Sequence, residues 1–224
     1  MSVFADLRRR STETELLDEG VPREEALRSL ADLRWVNRWL GGRRSLRRAL
    51  GRMLGDATRP RLLDVGCGSA DLPALMVEER PELLAVGLDV KRLHLEVAPR
   101  SVSRVLADVR RLPFREQSFD VVTASLFLHH FDEAQLPELL ASLFGLAKTA
   151  LVVNDLHRAR VPLVFARLVF PWIFQSNVSV QDGLTSIRRA FRPDELRAAF
   201  VAAGLDRVQI TRVFPYRLIA VALR

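Results

Sequence analysis

From Arg61 onward, short apolar runs alternate with longer amphipathic stretches. The runs RLLDVG, LLAVGLD (83–89), RVLAD (104–108), FDVVTASL (119–126) and TALVVNDL (149–156) carry apolar residues at successive rather than alternate positions. Such runs suit strands buried on both faces, and so a parallel sheet joined by helical crossovers. Helices are predicted between them at 70–79, at 91–97 before Pro99, and at 133–147. After the fifth run the alternation breaks. A long segment, 157–191, precedes a short helix in RPDELRAAFVAAG, closed by Gly204. DRVQITRVF and YRLIAVAL then follow, separated only by Pro215 and its neighbours, which demands an antiparallel hairpin. The expectation is a doubly wound α/β core of seven strands, mostly parallel.

The chain before Arg61 reads differently. Leu16 and Leu17 belong to a short helix closed by Gly20, and Pro22 opens another with Glu24 and Glu25 in its first turn. Leu27, Leu30, Leu33, Val36, Trp39 and Leu40 recur at helical spacing until Gly41-Gly42 stops them. SLRRALGRML then runs toward Pro60. Residues 1–59 are therefore expected to form a helical extension or lid on a domain spanning 60–224.

Composition narrows the class. The chain has 224 residues, 49% of them hydrophobic, enough for one large domain with a buried core. One cysteine, Cys67, excludes an internal disulfide and suits a reducing cytoplasm. The opening MSVFADLRRRSTETE has no apolar stretch after its basic residues, so it is not a secretory signal. A cytoplasmic location is expected. The net charge of +7 rests almost wholly on arginine, Lys91 and Lys148 being the only lysines. The arginines are scattered in pairs along the chain, which fits a solvated surface better than a nucleic-acid groove, so no nucleic acid is expected as partner. VPLVFARLVFPWIF (161–174) is too short to span a bilayer and is interrupted by Arg167 and Pro171, so no stable membrane insertion is expected.

The candidate chemistry begins at LLDVGCGSADLP (62–73), where an apolar run ends in Asp64 and two glycines, Gly66 and Gly68, open a helix. Glycines there let a ligand approach the backbone, and the helix N-terminus offers free N–H groups. Ala70 occupies the place of a possible third glycine. Two further stretches, VGLDV with Asp89 and LADVRRLPFREQSFDVVTASLFLHHF with Asp108, complete an ordered set. Together the three resemble the class I S-adenosylmethionine-dependent methyltransferases, in particular the ubiquinone/menaquinone-type (type 11) branch that acts on small molecules. The resemblance runs from about Arg61 to Arg224 and implies a Rossmann-like sheet with an antiparallel C-terminal hairpin.

It also implies S-adenosyl-L-methionine as cofactor and S-adenosyl-L-homocysteine as product. Asp64, Gly66, Cys67 and Gly68 would hold the methionyl end. Asp89, with Val90 beside it, would accept from the ribose hydroxyls, Asp108 and Val109 would meet the adenine, and Ser125 and Leu126 would lie near the methyl group. Cys67 itself reads as packing. Ala70 adds one methyl at a position whose glycine serves close helix–strand packing, so cofactor binding should survive it.

For a hydroxyl acceptor, a base of near-neutral pKa is the natural helper. His157, after strand five, and His129 or His130, after strand four, all fall at the carboxyl edge of the sheet where ligands sit. They stand as equal candidates, while His94 reads as surface or packing. Asn154, with Asp155, would orient the substrate or cap a strand. Trp35, Trp39, Phe170, Trp172, Phe174 and Phe191 would line an apolar cavity, the 157–191 segment forming one wall. No metal is expected.

The implied function is methyl transfer to a hydrophobic small molecule, foremost O-methylation of a phenolic, polyketide or quinol acceptor in a bacterial natural-product pathway. C-methylation of a quinone-type substrate, methylation of RNA or protein, and a non-catalytic cofactor-binding module are the alternatives. A monomer or homodimer is expected.

Overall fold

A computed structural model describes residues 7–54 and 58–224. The ends of the expected extension, 1–6 and 55–57, lie outside the described residues. Among the described residues before the sheet lie three helices: α1 (Leu16–Glu19), α2 (Arg23–Trp39) and α3 (Gly42–Met53). Pro22 stands immediately before α2, with Glu24 and Glu25 in the first turn, where negative charge suits the helix dipole. Gly41, at φ +83°, turns the chain between α2 and α3.

The sheet comprises β1 (Arg61–Val65), β2 (Leu84–Asp89), β3 (Ser103–Leu106), β4 (Phe119–Ser125), β5 (Ala147–Leu156), β6 (Gln209–Val213) and β7 (Arg217–Leu223). Their order is β3-β2-β1-β4-β5-β7-β6. The first five are mutually parallel, while β7 runs antiparallel to both β5 and β6. The expected Rossmann-like sheet with its antiparallel hairpin is therefore present. Between strands lie α4 (Asp71–Glu79), α5 (Arg92–Glu96) and α6 (Leu136–Leu146). The 157–191 segment folds as α7 (Arg160–Ile173) and α8 (Asn177–Arg189), and α9 (Pro193–Ala202) precedes β6.

Apolar side chains on both faces explain the burial of the central strands. Leu63, Val65, Val122, Leu151 and Val153 pack with α6 and α9 on one side. Leu62, Val121, Ala150 and Val152 pack with Leu46, Leu50 and Leu72 on the other. Val65, Ser125 and Leu156 thus end their strands at one edge, the place where α/β sheets take ligands. Among the described residues, no helix is long and apolar enough to cross a membrane.

Candidate active site

A cavity of about 750 Å³ opens over that edge, within the range of about 300–1,000 Å³ usual for small-molecule pockets. Its floor is the glycine turn. Gly66 has φ +62°, and a Cβ there would lie 2.0 Å from Cδ2 of Phe127, whose ring covers the turn. Gly68 has φ +53° with nothing nearer its missing Cβ than a Leu30 methyl at 3.9 Å. Ala70 also takes the left-handed conformation, φ 53° and ψ 32°, directly before α4, and is fully buried. This position therefore asks for backbone freedom as well as close packing, which amends the expectation drawn from the sequence.

The three acids singled out from the sequence all border the cavity. Asp64 is buried and accepts the Thr123 hydroxyl hydrogen at 2.7 Å. Burial, with Asp71 and Asp89 nearby, raises its carboxyl to about 7. Asp89 accepts from the Gly68 N–H at 2.9 Å and the Lys91 N–H at 2.8 Å, tying the glycine turn to the end of β2. Asp108 accepts from its Arg110 neighbour through backbone N–H, Nε and Nη2, and that pairing holds its carboxyl below the ordinary value. Val90, Val109, Ser125 and Leu126 border the same space. Leu126 is itself in the left-handed region, φ +52°, a strained conformation of the kind that gathers at functional sites. Cys67 packs its sulfur under Gly87, where a Cβ would come within 2.8 Å of it, and burial pushes its thiol up.

The three candidate histidines all reach the cavity but differ sharply. His129 is buried, its Nδ1 2.7 Å from Asp155 Oδ1 and its Nε2 3.3 Å from Glu15 Oε1. Against the cost of burial, those carboxylates raise it well above the ordinary imidazole range. His130 stacks on it at 4.4 Å and places Nδ1 2.7 Å from Asp18 Oδ2. His157 has no such acid: burial, then Arg212, Arg158 and Arg192, push it below its ordinary value. His94 is buried beside Asp89, with 3.3 Å between Nδ1 and Oδ1.

The expected apolar wall is only partly brought together. Trp39 and Phe170 line the cavity, as does Phe174. Trp35 instead meets Phe174 edge-on at 6.4 Å from behind. Trp172 is 87% exposed, and Phe191 lies in the core beneath Arg10, whose guanidinium sits 4.1 Å from its ring centre. Asn154 is wholly buried within β5 beside Ser125 of β4. Residues not singled out from the sequence complete the cavity: Glu15 and Asp18 from the extension, Phe127, and Tyr216 from the hairpin turn. No local signal marks Glu15, because its partners lie more than a hundred residues away. Phe127 stood in the quoted LFLHHF run, though its contact with Gly66 is not readable there.

Residues 62–150 match a family model described as a methyltransferase domain. A demethylmenaquinone methyltransferase of Thermus thermophilus is 32% identical over 214 residues, covering 85% of this chain and 91% of that protein. The chain belongs to the class I S-adenosylmethionine-dependent methyltransferases. Matches to a demethylmenaquinone methyltransferase of Thermotoga maritima (29% identical) and a ubiquinone/menaquinone C-methyltransferase of Desulfotalea psychrophila (29%) are more local. They cover 33% and 42% of this methyltransferase, and 33% and 39% of those relatives. Among solved structures, the plantazolicin methyltransferase BpumL with S-adenosylhomocysteine superposes at TM-score 0.67 and 14% identity, over 90% of this chain and 97% of the other. Magnesium protoporphyrin IX methyltransferase of Synechocystis gives 0.55 and 17%, over 82% and 83%. The family's cofactor is S-adenosylmethionine, and the donor set fits it: a side-chain-free turn, a buried acid for an ammonium group, and Asp89 for a diol.

Proposed function

We propose that the methyltransferase alkylates the oxygen of a hydrophobic phenol or quinol, with His157 as the base. The observation that carries this reading is the contrast among the histidines. Both ring nitrogens of His129 face carboxylates at 2.7 and 3.3 Å, so neither is free to take a substrate proton. His157 borders the cavity beside Tyr216, and burial and neighbouring arginines favour its neutral form. A neutral imidazole can accept a proton from an acidic hydroxyl at physiological pH.

S-adenosylmethionine supplies an electrophilic methyl group. In this reading Asp64 would face its ammonium, Asp89 its ribose, and Asp108 with Val109 its adenine. His157 takes the hydroxyl proton as the oxygen gains the methyl, and later passes it to water. Leu33, Val36, Trp39, Leu40, Phe165 and Phe170 border the rest of the cavity, so an apolar ring system would be desolvated there while its hydroxyl meets the histidine. The 157–191 segment supplies one wall through α7, and α2 of the extension supplies another.

Methyl transfer to carbon of a quinone-type acceptor is the second reading. It is favoured by the quinone-named relatives, one of which is called a C-methyltransferase. Incubating the protein with methyl-labelled cofactor and a panel of naphthols, hydroquinones and demethylmenaquinol separates the two. Methyl ethers lost in His157→Ala support the first, and ring-methylated product indifferent to that change supports the second. S-adenosylhomocysteine binding with no product from any acceptor would support a non-catalytic module.

A further inference from the structure

The acid–histidine cluster on the cavity wall is unused by this mechanism. Glu15, His129 and His130 place one donor atom each within 4.8 Å of the others, the one such grouping of metal-capable side chains among the described residues. We propose that they form a site for a single divalent transition-metal ion of the zinc, manganese or cobalt type, held by Nε2 of His129, Nε2 of His130 and the Glu15 carboxylate.

Three observations converge on this. The donor separations suit a coordination shell. Bonds of about 2.1 Å at tetrahedral angles put donors about 3.4 Å apart, and Glu15 Oε1 lies 3.3 Å from His129 Nε2. Glu15 Oε2 lies 3.9 Å from His130 Nε2. His130 is the partly exposed ring of the pair, and a bound ion would draw it the remaining few tenths of an ångström and out of its stack on His129. The outer nitrogens are already engaged: His129 Nδ1 with Asp155 and His130 Nδ1 with Asp18, both at 2.7 Å. That carboxylate–histidine arrangement orients an imidazole so that its other nitrogen offers a lone pair to a metal.

The backbone that carries the two histidines is also pinned. Arg189 donates to the carbonyls of His129 at 2.8 Å and His130 at 2.7 Å, and Arg10 donates to that of Phe131 at 3.0 Å. Lys91, 3.6 Å from Asp18, and the guanidiniums of Arg10 and Arg189 offset the three carboxylates around the pair, so the choice of ion rests on the donor types. Two histidines and one carboxylate select such an ion over magnesium or calcium, which prefer all-oxygen shells.

Three protein ligands leave coordination positions open, and these would face the cavity that Glu15, His129 and His130 all line. An acceptor oxygen bound there would lose its proton more readily. This last step rests on the methyl-transfer reading, whereas the metal site does not.

The test uses chelator-treated full-length protein, titrated calorimetrically with Zn²⁺ and spectroscopically with Co²⁺. One ion per chain is expected, with the visible absorption of a low-coordinate cobalt site. Glu15→Gln and His129→Asn should abolish it. Asp18→Asn should weaken it by about 10–100-fold, as loss of an orienting carboxylate does. S-adenosylhomocysteine, titrated in parallel, should bind the metal-free protein; failure there overturns the cofactor reading and leaves the metal site standing. No stoichiometric ion, or binding indifferent to all three substitutions, overturns the metal site and leaves an acid–histidine ion-pair network. A naphthol that fails to perturb the cobalt spectrum while still being methylated overturns the acceptor-binding step alone.

Discussion

Thr123 donates its hydroxyl hydrogen to Asp64 Oδ1 at 2.7 Å, at a point where both side chains are buried between neighbouring strands. Burial is the main force on that acid, with Asp71 and Asp89 adding to it, and its carboxyl is raised to about 7. An ammonium group placed beside it stabilises the ionised form only. Binding such a ligand near pH 7 must therefore release a proton, up to about half of one per site. The affinity for S-adenosylhomocysteine should rise as the pH goes from 6 to 8. Calorimetry in buffers of different ionisation enthalpy measures the release directly. A flat affinity and no released proton would remove Asp64 from the methionyl site.

His157 sets a second pH dependence. Its folded value is pushed below the ordinary 6.5 by burial first and by Arg212, Arg158 and Arg192 after it. A base must be unprotonated, so turnover should persist below pH 6.5 and fall only as the lowered value is crossed. Arg212→Gln removes the first of the cationic neighbours and should move that acid limb to higher pH. His157→Ala should cut kcat by about a hundredfold or more, with S-adenosylhomocysteine affinity within about twofold of the parent. An unchanged limb in Arg212→Gln would count against His157 as the titrating group.

The glycine turn separates steric from conformational demand. A methyl at Gly66 would fall 2.0 Å from the Phe127 ring at φ +62°, so Gly66→Ala meets a clash as well as strain. Overpacking at about 1–3 kcal/mol and the left-handed conformation at about 1–2 kcal/mol both oppose it, and cofactor affinity should fall at least about tenfold. Gly68→Ala meets only the strain, since its surroundings are open. At Ala70 the reverse change, to glycine, relieves about 1–2 kcal/mol of strain and loses about 0.8 kcal/mol of methyl burial. It also loses about 0.4–1 kcal/mol through the looser unfolded chain. Ala70→Gly should therefore leave stability within about 1 kcal/mol of the parent, a shift of about 2–4 °C at most. A clear stabilisation would mean the strain is larger than this balance assumes.

What was legible in the sequence and what was not divide along a physical line. Strands β1, β2, β4 and β5 were readable because burial on both faces leaves unbroken apolar runs, and the tight connection at Pro215 forced the hairpin. Acids at strand ends were readable because the turn chemistry beside them is local. The contact between Glu15 and His129 was not, since it closes over about half of the chain. The pocket aromatics were only half readable. Phe170 and Trp172 both lie in α7, but two residues turn a helix by about 200°, so they cannot share a face. Phe170 turns inward and Trp172 outward. Asn154 and Phe191 look like substrate residues only if their strand and bridge positions are ignored: one lies inside the sheet and the other pairs with His157 by a parallel bridge.

The same division predicts unequal costs along α7. Phe170 packs against Phe174, ring centres 4.3 Å apart, and lies over Gly183 of α8, where a Cβ would be 2.7 Å from its ring. Phe170→Ala opens a cavity at the α7–α8 contact and should cost about 3–5 kcal/mol. Trp172→Ala should change stability by less than about 0.5 kcal/mol and leave the KM for an apolar acceptor within about twofold. Thermal unfolding and steady-state kinetics on the pair check both. A large KM effect at Trp172 would show that its exposed ring meets the acceptor.

Asp182 joins the extension to the domain. Its two carboxylate oxygens accept the N–H groups of Leu16 at 2.7 Å and Leu17 at 3.0 Å, at the start of α1, and Ser186 of the same helix α8 donates to Glu15. A four-residue helix cannot hold itself, because nucleation costs more than one turn returns. Its position therefore depends on these anchors, and Glu15 and Asp18 are positioned with it. Asp182→Ala leaves two N–H groups without their partner and should cost about 1–2 kcal/mol, in line with loss of a helix cap. The cost should be local. Hydrogen exchange should accelerate across residues 13–20 and at the His129–His130 turn, while the strands and the glycine turn keep their protection. Exchange that rises evenly across the sheet would instead mean that the strap is part of the cooperative core, and that Glu15 cannot be loosened without unfolding the domain.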